Sequence, residues 1–295
     1  MELANLTLRV RQAVKKDAVV LTRLLRETPY QHIHPDWRLP VDLLGDAGFT
    51  LLYSEGEDER EGQQELLLAA LAVTADPPPA AWVRLAVVGH DQPPGDRLAL
   101  LWERLLPSFT AAGIIQVGWF AVERWAETWL PRLGFRVGYQ VETYQKERLT
   151  IPDLSWPEEV HIRPAELEDL TAVAAVDEAA FEPLWRYSVA VLKRVLHAAI
   201  SFDLAFCGSR LAGFQFSELY DHTAHLSRIA VHPDFQGRGV GRALLRHALK
   251  DYREHDVDSV TLNTQADNWP SKRLYRQFDF QPAASAFAVW VCDLV

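Results

Sequence analysis

Apolar and polar residues alternate over Leu6–Val10, the period of two that a half-buried strand requires. The period then lengthens, and Val20, Leu21, Leu24 and Leu25 recur on one face of a helix. Thr28–Trp37 carries neither period and is rich in turn and aromatic residues. Gly48–Tyr53 and Glu65–Thr74 read as two strands paired across the charged loop Glu55–Gln63, and Trp82–Val88 as another after the Asp76–Pro79 loop. Leu98–Leu106 predicts a helix, Ile114–Phe120 a strand, Trp125–Leu133 a helix, and Gly134-Phe135 a turn into a further strand. Arg148–Glu159, with Pro152 and Pro157, reads as a linker between residues 1–150 and 151–295. Strands and helices in this order predict an α/β chain.

The pattern occurs twice. Arg11 and Asp17 recur as Arg163 and Asp169, 152 positions on. Leu85-Ala86-Val87 matches Ile229-Ala230-Val231 at 144, without a gap through Ala99-Leu100-Leu101 against Ala243-Leu244-Leu245. Leu133-Gly134-Phe135 matches Phe278-Asp279-Phe280 at 145. Two copies of one fold account for this order.

One stretch of the second copy carries a chemical signal. The apolar run Leu226–Val231 leads through His232-Pro233 to Gln236-Gly237-Arg238-Gly239-Val240-Gly241 and then into a helix with Val240, Ala243, Leu244, Ala248 and Leu249 on its apolar face. Glycine at alternate positions bares the backbone where strand becomes helix, so its N–H groups converge on an anion at the positive helix end. The first copy has Gln92-Pro93-Pro94-Gly95-Asp96-Arg97 there. Two prolines remove two donors, and Asp96 adds a negative charge where a phosphate would sit. Arg238, Arg242, Arg246 and Lys250 follow at intervals of four in the second copy, against Pro94, Leu98, Trp102 and Leu106 in the first.

Leu226–Gly241 resembles motif A of the GNAT superfamily, the acyl-CoA-dependent N-acyltransferases. Asn268-Trp269-Pro270-Ser271-Lys272-Arg273-Leu274-Tyr275-Arg276-Gln277-Phe278-Asp279-Phe280 resembles that family's Asn- and Tyr-bearing helix, with Asp279 where glycine is usual. The resemblance implies two tandem GNAT-like domains, each a central mixed, mostly antiparallel sheet flanked by helices. It implies acetyl-CoA as co-substrate, with residues 151–295 holding it. Residues 1–150 are then a degenerate copy, not cofactor-binding, that shapes or covers the active site.

The family reaction is attack of a neutral amine on the acetyl-CoA thioester. By resemblance, Gln236, Gly237, Arg238, Gly239, Val240, Gly241 and Arg242 hold the pyrophosphate. The main chain of Ile229, Ala230 and Val231 polarises the thioester carbonyl. Tyr275 matches the tyrosine that serves the departing thiolate, and Asn268 and Ser271 match cofactor contacts; a helix cap is the alternative role of Asn268. The family often places a carboxylate five residues before the motif A alanine, which here is His225. Glu218 and Asp221, on the preceding strand or its turn, are rival bases acting through water. Phe181, Trp185 and Tyr187 stand between the first two helices of this copy, as acceptor-pocket lining or core. The tandem order is similar to that of mycothiol synthase, and ribosomal-protein N-terminal acetyltransferases share motif A equally. A small-molecule or peptide amine is the expected acceptor, and an acyl-CoA-binding sensor without turnover is the competing class.

Composition adds bounds. The net charge of −10 over 295 residues disfavours nucleic acid as a partner. No run approaches membrane-helix length and no signal-peptide pattern opens the chain, so a cytoplasmic protein is expected. Cys207 and Cys292, its two cysteines, are expected as free thiols. His32, His34, His222 and His225 lack a cysteine or carboxylate cluster at ligand spacing, so no metal is expected.

Overall fold

The computed structural model describes residues 7–34, 36–55, 65–90, 93–154 and 159–294. Residues 56–63 of the expected charged loop, 155–158 of the expected linker, Pro35 and Gln92 lie outside the described residues. The chain forms two compact units, Met1–Gly138 with Ala288–Val295 and Tyr139–Phe287.

The first unit contains β1 (Thr7–Gln12), α1 (Ala18–Glu27), β2 (Gln31–Ile33), β3 (Phe49–Glu55), β4 (Leu66–Thr74), β5 (Ala80–Val88), α2 (Pro94–Ala111) and β6 (Gln116–Ala121). β7 (Arg136–Lys146) leaves this unit and enters the second. There follow β8 (Val160–Pro164), α3 (Leu170–Ala180), α4 (Val189–Ala198), β9 (Ser201–Cys207), β10 (Arg210–Tyr220), β11 (Thr223–Val231), α5 (Val240–Glu254), β12 (Ser259–Gln265) and α6 (Trp269–Gln277). β13 (Gln281–Asp293) runs back, and its residues Ala288–Asp293 pair antiparallel with β6.

Within the first unit the strands run β1-β3-β4-β5-β6 and then the end of β13; in the second they run β7-β12-β11-β10-β9-β8. Each sheet is antiparallel except at one pair, β5 with β6 and β11 with β12. Each is covered by helices on both faces. On one face of the first sheet Leu98, Leu101, Trp102 and Leu105 of α2 pack on Leu71, Val83 and Trp119; on the other, Leu21 and Leu24 of α1 pack on Leu51, Leu85 and Val87. Burying each such leucine contributes about 1.5–3 kcal/mol. In the second unit Leu245, Ala248, Leu249 and Tyr252 of α5 pack on Ala224, Leu226 and Val260. A polar network fastens the same helix: the Tyr252 and Ser217 hydroxyls are hydrogen-bonded, Ser217 donates to Gln215, and the Gln215 amide donates to Asp203 at 2.6 Å.

The internal repeat is visible in detail. Arg11 grips Asp17 with two hydrogen bonds, 2.6 and 2.8 Å, and Arg163 grips Asp169 with two of 2.7 Å. Each aspartate also accepts a backbone N–H three residues earlier, from Val14 or Glu166, and so caps the turn into the next helix. Gly134 and Asp279 both adopt left-handed backbone, φ 85° and 61°. One reading of the pattern fails: Trp125–Leu133 is no α-helix but contributes 3₁₀ turns at Arg124–Ala126 and Leu130–Leu133. Pro131 lacks the N–H and crowds the preceding turn. No described helix is long and apolar enough to cross a membrane.

Candidate active site

β11 is the backbone of the site. It pairs antiparallel with β10 along its length but with β12 only through Thr223–Leu226, opposite Ser259–Leu262. The strands then part, and no described strand pairs with Ser227–Val231 on the β12 side. The cause is local. Phe216 and Ser217 are consecutive on β10 yet face Arg228 and Leu226, so Ser227 is an extra residue that bends β11 away from its parallel neighbour. Ile229–Val231 are therefore held by β10 alone among the described strands, with their main chain unpaired by strand on the β12 side. Ala230 is buried, and half-buried Ile229 and Val231 pack on the cluster of Phe235, Val240 and Leu244.

The glycine turn follows directly on this unpaired stretch of β11. Gly237 and Gly239 have φ 76° and 85°, left-handed values that side-chain-bearing residues rarely adopt, and Gly239 is the N-cap of α5. A Cβ at Gly237 would meet nothing within 4 Å, so the turn opens onto free space. A Cβ at Gly241 would come 3.3 Å from Leu274 and 3.7 Å from Val231, where α5, α6 and β11 converge. Gln236 donates its amide to the Val231 carbonyl at 3.1 Å, ending the strand. Val240 is buried, and its fixed place sets the direction of α5. Exposed Arg238 lies over the Phe235 ring at 5.5 Å; Arg242 and Arg246 are half-buried and Lys250 is exposed. Bare N–H groups at a 15-residue helix N-terminus, with arginines beside them, suit a pyrophosphate.

α6 reaches the start of α5 through Leu274. Asn268 caps it, its Oδ1 accepting the Ser271 N–H at 3.2 Å. Lys272, which the pattern did not single out, is buried and donates to the Ala266 carbonyl and to Glu142, both at 2.9 Å, fixing that first turn. Tyr275 is buried between Tyr144 and Phe280, at ring distances of 6.1 and 6.0 Å. Burial raises its phenol to about 12, against a hydrogen bond with Ser271 that lowers it.

Two candidate bases come together and the third does not. Glu218 and His225 are cross-strand neighbours on β10 and β11. Ser227 donates to Glu218 Oε2 at 2.7 Å, and His225 Nδ1 lies 2.9 Å from the Thr261 hydroxyl on β12. Burial lowers the His225 pKa, and the nearby Glu218 charge acts in the other direction. Asp221 is exposed at the β10–β11 turn with φ 53°, a turn residue away from this group.

The aromatic cluster has a different use. Phe181 and Tyr187 sandwich the Arg228 guanidinium, at 4.1 and 3.9 Å from their ring centres. Arg228 is 3.4 Å from buried Asp177 and donates to the Trp185 carbonyl at 2.6 Å. Trp185 stands edge-on to Tyr139, whose hydroxyl donates to Glu182 at 2.9 Å. Arg228 thus ties the loop between α3 and α4 to the bend of β11. A lone arginine in an apolar strand was the signal, and the bulge that turns it to this face is not readable from spacing.

Residues 165–280 match the profile of the acetyltransferase (GNAT) family. This segment is a GNAT domain. Over 169 residues the chain is 31% identical to a mycothiol acetyltransferase of Pseudarthrobacter chlorophenolicus, covering 50% of this chain and 52% of that protein. The match thus spans about half the length of that relative. A putative ribosomal protein bS18-alanine N-acetyltransferase of Bacillus subtilis is 24% identical over 121 residues, 41% of this chain and 80% of that one. A tandem GNAT protein from the clavulanic acid biosynthesis pathway has the same fold, with a TM-score of 0.63 at 14% identity over 98% of this chain and 99% of that one. The chain thus shares the overall fold of that tandem protein.

In the GNAT domain the parted strands, the glycine turn and α6 converge at Gly241, beside Val231 and Leu274.

Proposed function

We propose that the GNAT domain transfers an acetyl group from acetyl-CoA to a primary amine by direct attack. The observation that carries this reading is the parting of β11 from β12 directly beside a glycine turn at the N-terminus of α5. The main-chain N–H groups of Gly237–Gly241 hold the pyrophosphate, with Arg238 and Arg242 beside them. Acetyl-CoA brings the activated acyl group. Main-chain N–H at Ile229–Val231 faces the carbonyl oxygen and stabilises the charge that develops there.

Two proton movements complete the reaction. The acceptor amine gives up a proton, and His225 is suited to take it, because burial keeps the ring neutral below the ordinary histidine range. Glu218, joined to the group through Ser227, stabilises the imidazolium that results. The leaving thiolate gains a proton or hydrogen bond from Tyr275, whose raised pKa keeps its proton in place at neutral pH. Asn268 and Ser271 hold the first turn of α6 against the arm of the co-substrate. The matched proteins are named for mycothiol and for an alanine of a ribosomal protein, so the amines to screen are small-molecule and peptide α-amines.

The test is calorimetric titration of the full chain with acetyl-CoA, followed by thiol release with that amine panel. Binding abolished by Gly239→Trp, together with amine-dependent release of CoA, is the expected result. Binding without turnover would leave an acyl-CoA sensor, and no heat at millimolar ligand would overturn the reading.

A further inference from the structure

The edge of β11 that meets no described strand in the second unit has a counterpart in the first that is filled by the chain itself. β5 corresponds to β11, with Leu85–Val87 lying 144 positions before Ile229–Val231. Their parallel neighbours correspond as well: β6 pairs with Ala80–Trp82 and β12 with Thr223–Leu226. Both parallel pairs then part. Where β11 meets no described strand on that side, β5 meets β2, with Gln31 opposite Val87, His32 opposite Ala86 and Ile33 opposite Leu85. The ladder runs past both ends, since His34 N–H donates to the Arg84 carbonyl and Val88 N–H to the Tyr30 carbonyl, each at 2.9 Å.

β2 is bonded to the other lip too. His32 Nδ1 lies 3.3 Å from the Glu123 carboxylate, and the Trp125 indole N–H donates to the Gln31 carbonyl at 2.8 Å. Glu123 is the counterpart of Asn268, 145 positions earlier, so the plug is held where the second unit presents the cap of α6. The His32 ring stacks on Trp119 at 4.8 Å, and His34 sits between Trp82 and Phe120 at 4.9 and 5.5 Å. In the second unit the segment 152 positions after β2 is Pro183–Trp185, a 3₁₀ turn that Arg228 holds by the Trp185 carbonyl. Pro183 has no N–H to offer a ladder.

We propose that β2 is a built-in occupant of the first unit's acyl-CoA cleft. It makes with Leu85–Val87 the main-chain hydrogen bonds that an extended amide-bearing ligand would make, and so leaves that unit unable to bind acyl-CoA. A ligand entering there would break this ladder and unstack buried His32 from Trp119, with both sets of polar groups left to find partners. This rests on the reading of Ile229–Val231 as the acyl-CoA edge of the second unit.

Hydrogen exchange on the full chain, with and without millimolar acetyl-CoA, tests it. Peptides over β2 and Leu85–Val87 are expected to exchange slowly without ligand and to be unchanged by it, while the peptide over 229–241 gains protection. Fast exchange at β2, or exchange there that speeds up when ligand is added, would overturn the plug. A Gly239→Trp chain, with the second site blocked, is expected to show no acetyl-CoA binding by calorimetry; a remaining stoichiometric site would overturn it too. If the wild-type chain binds no acetyl-CoA and 229–241 does not respond, the transfer reading fails, and slow or fast exchange at β2 then decides the plug separately.

Discussion

Gly239 and Asp279 both hold left-handed backbone, but for different ends. Asp279 turns the chain out of α6 and tolerates its φ of 61° as a short polar residue can. Gly239 must also leave its N–H groups bare, so Gly239→Val is expected to weaken acetyl-CoA at least tenfold by calorimetry, through strain and a blocked cradle. Tyr275→Phe keeps the buried ring and removes only the proton donor. It is expected to lower kcat about 10²–10⁴-fold with little change in melting temperature. His225→Gln should remove the acidic limb of the kcat/KM profile. Because burial lowers the His225 pKa, that limb lies below the ordinary histidine range in the wild-type protein. His247 shifts the other way, raised by its hydrogen bond with Asp203. Its contribution to stability is full below the unfolded histidine pKa and is lost as pH rises through the raised folded value. Urea midpoints measured across that window should fall with rising pH in the wild type and fall less steeply in His247→Gln, where His255, also raised, remains.

At the level of elements, one extra residue decides the site. Ser227 bends β11 off β12, and no periodicity could announce it, because a bulge is defined against its partner strand. The three residues of β2 are equally silent: Gln31-His32-Ile33 is too short for a period and becomes a strand only because the edge of β5 is vacant beside it. Arg228 and Asp177 form a buried pair that fixes the matching loop in the second unit, with side chains 8% and 0% exposed. Asp177→Ala leaves that guanidinium buried without its carboxylate and is expected to cost about 3–5 kcal/mol in urea unfolding.

At the scale of the whole molecule, the division between units is not where the linker suggested. β7 lies before residue 150 but pairs through Val141–Lys146 with Val260–Gln265, while Ala288–Asp293 return to β6. Each unit takes an end strand from the other half of the sequence. A fragment of residues 139–287 is therefore expected to melt cooperatively, and one starting at 151 to aggregate, since it bares the β12 edge over Val260 and Leu262. Thermal melts with light scattering compare the two. The sequence by itself determined the duplicated α/β pattern, the glycine turn that opens α5, the α6 signature and the loss of backbone donors at Pro93 and Pro94. All of these are local, because they depend on period, φ preference or a missing N–H within a few residues. Tertiary structure alone decided which strand edge stands open, which is filled by β2, and which strands close each sheet. Those outcomes depend on competition among distant segments for the same unpaired backbone, and no single segment carries its rivals in its own residues.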